Sequence, residues 1–148
     1  MSDTKTLVFG GDHAGFECKT SLIHAFEEAY KIEDYGTDSA ESVDYPEFAR
    51  PVALRVGAHE PRVLGVLICG SGNGVCMTAN KTPSVRAALC WNEELARLAR
   101  AHNNANILCI PARFVDFDTA RDMLKAFIET PFEGGRHQRR VQKIALDS

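Results

Sequence analysis

Apolar positions in this chain fall into short continuous runs separated by segments of helical spacing. Thr6-Leu7-Val8-Phe9-Gly10-Gly11 is a strand-like run that stops at glycines, and beyond the polar loop Asp12-His13-Ala14-Gly15 the residues Phe16, Leu22, Ile23, Phe26 and Tyr30 recur on one side of a helix. Residues 31 to 37 hold a short second strand. Pro46 suits the first turn of a helix bearing Phe48, Val52 and Val56, which Pro51 kinks or shortens. Val63-Leu64-Gly65-Val66-Leu67-Ile68-Cys69 reads as a strand buried on both faces, running into the loop Gly70-Ser71-Gly72-Asn73-Gly74 and a helix from Val75 to Lys81. Val85 to Cys90 is a further strand, and Asn92 caps a helix whose apolar stripe holds Leu95, Leu98, Ala99 and His102. After the strand Ile107 to Ile110, Asp116 or Asp118 caps a helix with Ala120, Met123, Leu124, Phe127 and Ile128 at i, i+3, i+4, i+7 and i+8, which Pro131 stops. A last helix over 136–146 gathers Arg136, Arg139, Arg140 and Lys143 on one face and Val141, Ile144 and Ala145 on the other.

Strands alternating with helices predict an α/β fold: a three-layer Rossmann-like sandwich around a five-stranded parallel sheet, in one domain spanning 1–148. With the flavodoxin-like strand order 2-1-3-4-5, strands one and three are neighbours at the switch point, and Asp12 and His13 lie beside Cys69 to Gly74. Asp12 then serves either as a helix cap or as a functional carboxylate.

Composition narrows the function. A charged fraction of 25% and a net charge of -3 fit a globular protein and argue against nucleic acid as its main partner. No apolar run is long enough to span a bilayer, and Met1 to Thr6 lack the apolar region of a signal peptide, so a cytoplasmic location without membrane attachment is expected. The five cysteines Cys18, Cys69, Cys76, Cys90 and Cys109 form no C-x-x-C pair, which suits free thiols in a reducing compartment. His13, His24, His59, His102 and His137 are scattered along the chain, which argues against a metal site.

The chemistry centres on the loop after Cys69. Alternate glycines let successive backbone N–H groups face one point, and the following helix aims its positive end there, forming an anion cradle with a thiol at its lip. Its G-x-G-x-G spacing is neither the G-x-G-x-x-G of dinucleotide folds nor a P-loop, and Val75 stands where a Cys-x5-Arg phosphatase needs arginine. A bare strand-to-helix turn and an inert buried Cys69 remain open on these residues alone. Arg136 and Arg140, one helical turn apart, suit a phosphate monoester or an ordinary solvated face.

Several motifs occur together: Gly11-Asp12-His13-Ala14-Gly15-Phe16, Asp44-Tyr45-Pro46, Ile68 to Gly74, Ala79-Asn80-Lys81, Arg86-Ala87, His102-Asn103-Asn104-Ala105-Asn106 and Glu133-Gly134-Gly135-Arg136-His137. In this order and spacing they resemble the sugar-phosphate isomerase family of ribose-5-phosphate isomerase B and the galactose-6-phosphate isomerase subunits. The resemblance implies aldose–ketose isomerisation of a sugar phosphate through an enediolate, without metal or organic cofactor, as in the pentose phosphate pathway. It implies Cys69 as the base that moves the carbon-bound proton, Gly70, Ser71, Gly72, Asn73 and Gly74 as donors to the enediolate oxygen, Asp12 as carrier of hydroxyl protons, and His102 as opener of the furanose ring. It further implies that His13, Arg136 and Arg140 hold the phosphate while Tyr45, Asn103 and Arg113 line the substrate. The family's sites form at a homodimer interface, some within tetramers, so His102 and Asn103 are expected to serve a second subunit's Cys69, with the C-terminal helix at that interface.

Part of the family lacks the cysteine and has glutamate one residue after the last loop glycine; Val75 here places this chain with the thiol-base kind. Ser71 stands where many relatives have threonine, and Cys76 where many have serine. Rival expectations are isomerisation of a six-carbon sugar phosphate, a non-catalytic sugar-phosphate or nucleotide binding module, and a thiol-redox protein, the last weakened by the missing C-x-x-C.

Overall fold

A computed structural model describes residues 4–58, 60 and 62–146, so His59 and Met1 to Asp3 lie outside the described residues. The strands are β1 (Thr6–Gly11), β2 (Lys31–Asp34), β3 (Val63–Cys69), β4 (Ala87–Leu89) and β5 (Ile107–Pro111). The helices are α1 (Phe16–Phe26), α2 (Pro46–Val56), α3 (Asn73–Ala79), α4 (Glu93–Asn103), α5 (Phe117–Glu129) and α6 (Arg136–Gln142). All strand pairs are parallel.

Side chains along β3 and β5 alternate between two cores, as the period of two in a strand requires. Leu64, Val66, Ile68, Leu108 and Ile110 pack with α1, α4 and α5, whereas Val63, Leu67, Cys69, Ile107 and Cys109 pack with α2 and α3. Helices thus cover both faces, which is why the central strands read as unbroken apolar runs.

The sheet order is β2-β1-β3-β5-β4. The expected 2-1-3 half is present, but β5 takes the place next to β3 that the order 2-1-3-4-5 gives to β4. Burial explains the exchange. β5 is buried at every position and takes partners on both edges, whereas the three-residue β4 is only half-buried and suits an edge. The exchange also has a consequence for the site: the exit of β5 lies against the exit of β3, where Ala112 N–H donates to Cys69 O at 2.9 Å and Arg113 N–H to Gly70 O at 3.0 Å.

Pro51 lies inside α2 without ending it. Asn92 caps α4 through its bond from Leu95 N–H at 2.9 Å, and of the two candidate caps for α5 it is Asp116 that accepts from Thr119 N–H, at 2.8 Å. α6 is shorter than the expected 136–146: Lys143 N–H turns back to Arg140 O and Ile144 N–H to Val141 O, tight bonds that wind up the last turn and leave 143–146 in turns and bends. On α1 the expected stripe omits Lys19, which is buried and bonds both carboxylate oxygens of Asp34 at 2.9 Å.

Candidate active site

The carboxyl ends of β1, β3 and β5 open into a cleft of about 440 Å³ lined by Asp12, His13, Ala14, Tyr45, Cys69, Gly70, Ser71, Gly74, Arg113 and Phe114. β1 and β3 pair in register up to Gly11 opposite Ile68, and Asp12 N–H donates to Ile68 O at 3.3 Å, so Asp12 emerges level with Cys69. The Asp12 carboxylate caps the short 3-10 turn His13–Gly15, accepting from Ala14 N–H at 3.0 Å and Gly15 N–H at 3.3 Å. Asp12 therefore is the cap that one of its two readings expected, and it also lines the cleft, because one oxygen takes both capping bonds and the carboxylate stays at the wall.

His13 Nδ1 accepts from Val43 N–H at 3.2 Å. Its proton therefore sits on Nε2 in the neutral ring, making that edge a hydrogen-bond donor. Arg113 is exposed beside the Gly70 loop, held there by the strand exchange. The cleft so combines a thiol, a carboxylate, an imidazole donor and a guanidinium.

The loop after Cys69 turns on Gly72, at φ 75°, where a left-handed backbone is needed and where a Cβ would fall 2.5 Å from Leu89 Cδ1. Ser71 Oγ accepts from Asn73 N–H at 3.2 Å. Gly72 is buried behind the loop and Asn73 faces solvent, so of the five loop residues it is Gly70, Ser71 and Gly74 that line the cleft. The first turn of α3 leaves backbone N–H groups without helical partners at this point. Gly74 lies directly under Tyr45, whose Cε1 and Cζ would be 2.5 Å from an added Cβ. Gly74→Ala is accordingly expected to swing the exposed Tyr45 ring off the wall and raise KM by about fivefold, equivalent to about 1 kcal/mol of substrate contact, with little loss of stability. Steady-state kinetics beside thermal unfolding would check it.

His102, Asn103, Arg136 and Arg140 are not in this cleft. They lie on α4 and α6, which pack against each other; Asn103, Arg136 and Arg140 are exposed, and the His102 ring stacks on His137 with centroids 4.1 Å apart. Here the scattered histidines do converge: donor atoms of His102, Glu133 and His137 lie within 4.8 Å of one another. The two rings are nearly parallel, inclined by 12°. Their in-plane lone pairs therefore run side by side rather than toward one point, an arrangement that suits shared electrostatics better than a metal ion.

Phe114 at the cleft wall is not indicated by any sequence pattern; it follows the end of β5, whose importance depends on the sheet order, whereas Ala14 belongs to the loop after β1 that the sequence already marks. Other residues of the recurring motifs turn out to brace the fold. Asn80 bonds both ways to the Ala87 backbone, at 2.8 and 3.0 Å, and Asn106 accepts from Arg86 N–H at 2.7 Å. Among the thiols, Cys76 is held below its ordinary range by a hydrogen bond from Cys109, whereas burial pushes Cys109 well up and Cys90 to about 12. No helix among the described residues is long and apolar enough to cross a membrane.

The Ribose/Galactose Isomerase family model matches residues 7–144. Ribose-5-phosphate isomerase B of Escherichia coli K12 is 40% identical over 141 residues, covering 95% of this chain and 94% of that one. A probable ribose-5-phosphate isomerase B of Mycoplasma genitalium is 42% identical over 140 residues, covering 93% and 92%. Among solved structures, the M. genitalium enzyme with bound ribulose-5-phosphate superimposes with a TM-score of 0.90 at 40% identity, covering 97% and 95% of the two chains. A ribose 5-phosphate isomerase from Thermotoga maritima gives 0.90 at 42% identity, covering 97% and 98%. With a family match over nearly its whole length and this level of identity, the chain belongs to the ribose/galactose isomerase family.

Proposed function

We propose that the protein interconverts D-ribose 5-phosphate and D-ribulose 5-phosphate through an enediolate, with the Cys69 thiolate as the base. The observation that carries this reading is the meeting of Cys69, the Gly70 to Gly74 loop and Asp12 in one cleft. Moving a proton between C1 and C2 needs a base above the carbon, donors for the oxygen that becomes negative, and a group that relays the hydroxyl proton. Cys69 takes the C2 proton as electrons move onto the aldehyde oxygen, loop N–H groups and the Ser71 hydroxyl meet the developing charge, and Asp12 carries the hydroxyl proton between the two oxygens. Return of the proton to C1 completes the ketose.

Ring opening precedes this chemistry, and His102 supplies the proton to the ring oxygen. Within one chain His102 stands apart from the Cys69 cleft, on α4, so this reading places it at the cleft of a second subunit, together with Asn103, Arg136 and Arg140. The homodimer, with α6 at its interface, belongs to the proposal. His13, Arg136 and Arg140 grip the phosphate, and Arg113, Asn103 and Tyr45 line the sugar, so that binding energy remote from C1 and C2 holds them in place.

Proton NMR of ribose 5-phosphate in deuterated water tests the reading. Ketose formation with deuterium entering at C1 or C2 is expected. Inertness toward ribose 5-phosphate, with turnover of allose or galactose 6-phosphate instead, would transfer the activity to six-carbon substrates; tight binding without any exchange would mean a binding module.

A further inference from the structure

The family motif at 133–137 builds something specific around His102. Gly134 and Gly135 sit at φ 69° and 55° with open space where their Cβ atoms would be, so they supply left-handed backbone rather than room. The turn they make carries His137 back onto α4, with His137 N–H closing on Gly134 O at 3.0 Å. Glu133 is fixed independently: its own N–H donates to Ala101 O at 3.0 Å, at the end of α4 beside His102. One carboxylate oxygen, Oε1, then stands 3.8 Å from His102 Nε2 and 3.6 Å from His137 Nε2.

Two stacked imidazoles repel when both are charged, and a single carboxylate between them balances a single positive charge. Around the pair stand Glu133, Arg136 and Arg140. Burial first, and then the charges of His102, Arg136 and Arg140, hold His137 below its ordinary range against the opposing pull of Glu133.

We infer that Glu133 and His137 are positioning residues for His102: the carboxylate turns Nε2 of His102 toward itself, leaving Nδ1 as the nitrogen not engaged by it, and the His137 ring fixes the plane in which His102 meets the substrate. The inference rests on the reading of His102 as the group that opens the furanose.

Substrate chemistry separates ring opening from enediolate chemistry. Ribulose 5-phosphate is permanently open-chain, because the C5 hydroxyl that would close a furanose carries the phosphate. Exchange of its C1 hydrogen with solvent therefore needs Cys69 chemistry and no ring opening, whereas turnover of ribose 5-phosphate needs both. The experiment compares the two rates in the wild type, Glu133→Gln, His137→Ala and His137→Phe. Glu133→Gln is expected to lower kcat on ribose 5-phosphate about tenfold or more, the scale set by small misplacement of a reacting group, with KM and the exchange rate each within about twofold of wild type. His137→Ala should show the same selective loss, and His137→Phe, which restores a flat ring to the stack, should recover most of it. Glu133 is exposed and its amide replacement has the same shape, so unchanged thermal unfolding is expected. Equal falls in turnover and exchange, or no fall in turnover in either Glu133→Gln or His137→Ala, would overturn the assignment. Absence of both activities in the wild type would instead remove the isomerase reading, and this inference with it.

Discussion

Replacing Cys69 with alanine is expected to cut ribose 5-phosphate turnover by a factor of about 1,000 or more, the range typical of losing the general base at a carbon acid. The fold should survive. Cys69 ends β3 at 5% exposure, against the α2 and α3 core, so truncation leaves a void of one sulfur and costs on the order of 1 kcal/mol. Cys69→Ser is the sharper variant, since it keeps size and hydrogen bonding and loses only the accessible anion; serine in its place should be nearly as inactive as alanine. Deuterium uptake at C1 of ribulose 5-phosphate measures the step itself, and retention of wild-type uptake in Cys69→Ala would exclude this thiol as the base. Chemical modification alone would mislead, because Cys76, held below the ordinary thiol range, is half-buried one turn into α3 and competes for an alkylating reagent. The Cys76→Ala background removes that ambiguity.

How far the sequence exposed this site depends on which physical signal each residue leaves. Cys69 and the Gly70 to Gly74 loop are legible as a candidate because a strand buried on both faces must be apolar throughout, and its abrupt end in glycines marks a tight turn; these residues alone leave open whether the turn is a bare bend or an anion cradle. Asp12 and His13 are legible for the same reason at the end of β1. Arg113 is different: nothing in Ala112-Arg113-Phe114 marks it, and it reaches the cleft because β5, not β4, adjoins β3. Which apolar strand takes the inner position is decided by burial over the whole sheet, a property that local periodicity does not carry. The His102 cluster fails in the opposite direction. Its members lie on α4, in the turn after α5 and on α6, and only the docking of α6 on α4 shows that the histidines meet. Asn80, Arg86 and Asn106 belong to equally distinctive motifs, yet their side chains bond backbone and hold β4 and the α4–β5 turn in place.

A buried charge that periodicity could not reveal sets the largest stability effect. Lys19 lies on the core side of α1 at 1% exposure, its ammonium 2.9 Å from both oxygens of Asp34 and 5.6 Å from the Phe16 ring centroid. Asp34→Ala strands that ammonium, and removing one partner of a buried pair typically costs about 3–5 kcal/mol. The Asp34 side chain is 42% exposed, so water can enter where the carboxylate was, which puts the expected loss near the low end, about 3 kcal/mol or about 6–12 °C in Tm for a domain of this size. Lys19→Met should behave quite differently. It keeps the buried stem, removes the charge, and leaves Asp34 hydrated and still accepting from Gly36 N–H at 2.9 Å, for an expected change within about 1 kcal/mol. Combining Lys19→Met with Asp34→Ala should then recover most of what Asp34→Ala loses, and a double mutant as unstable as Asp34→Ala would refute the stranded-charge account. The effect also reaches the cleft. Gly36 O accepts from Gly11 N–H and Thr37 N–H returns to Gly11 O, each at 2.9 Å, so the chain that Asp34 anchors is bonded to the residue immediately before Asp12. Asp34→Ala is therefore expected to weaken substrate binding as well as stability, whereas Lys19→Met, which leaves that anchor intact, should spare KM.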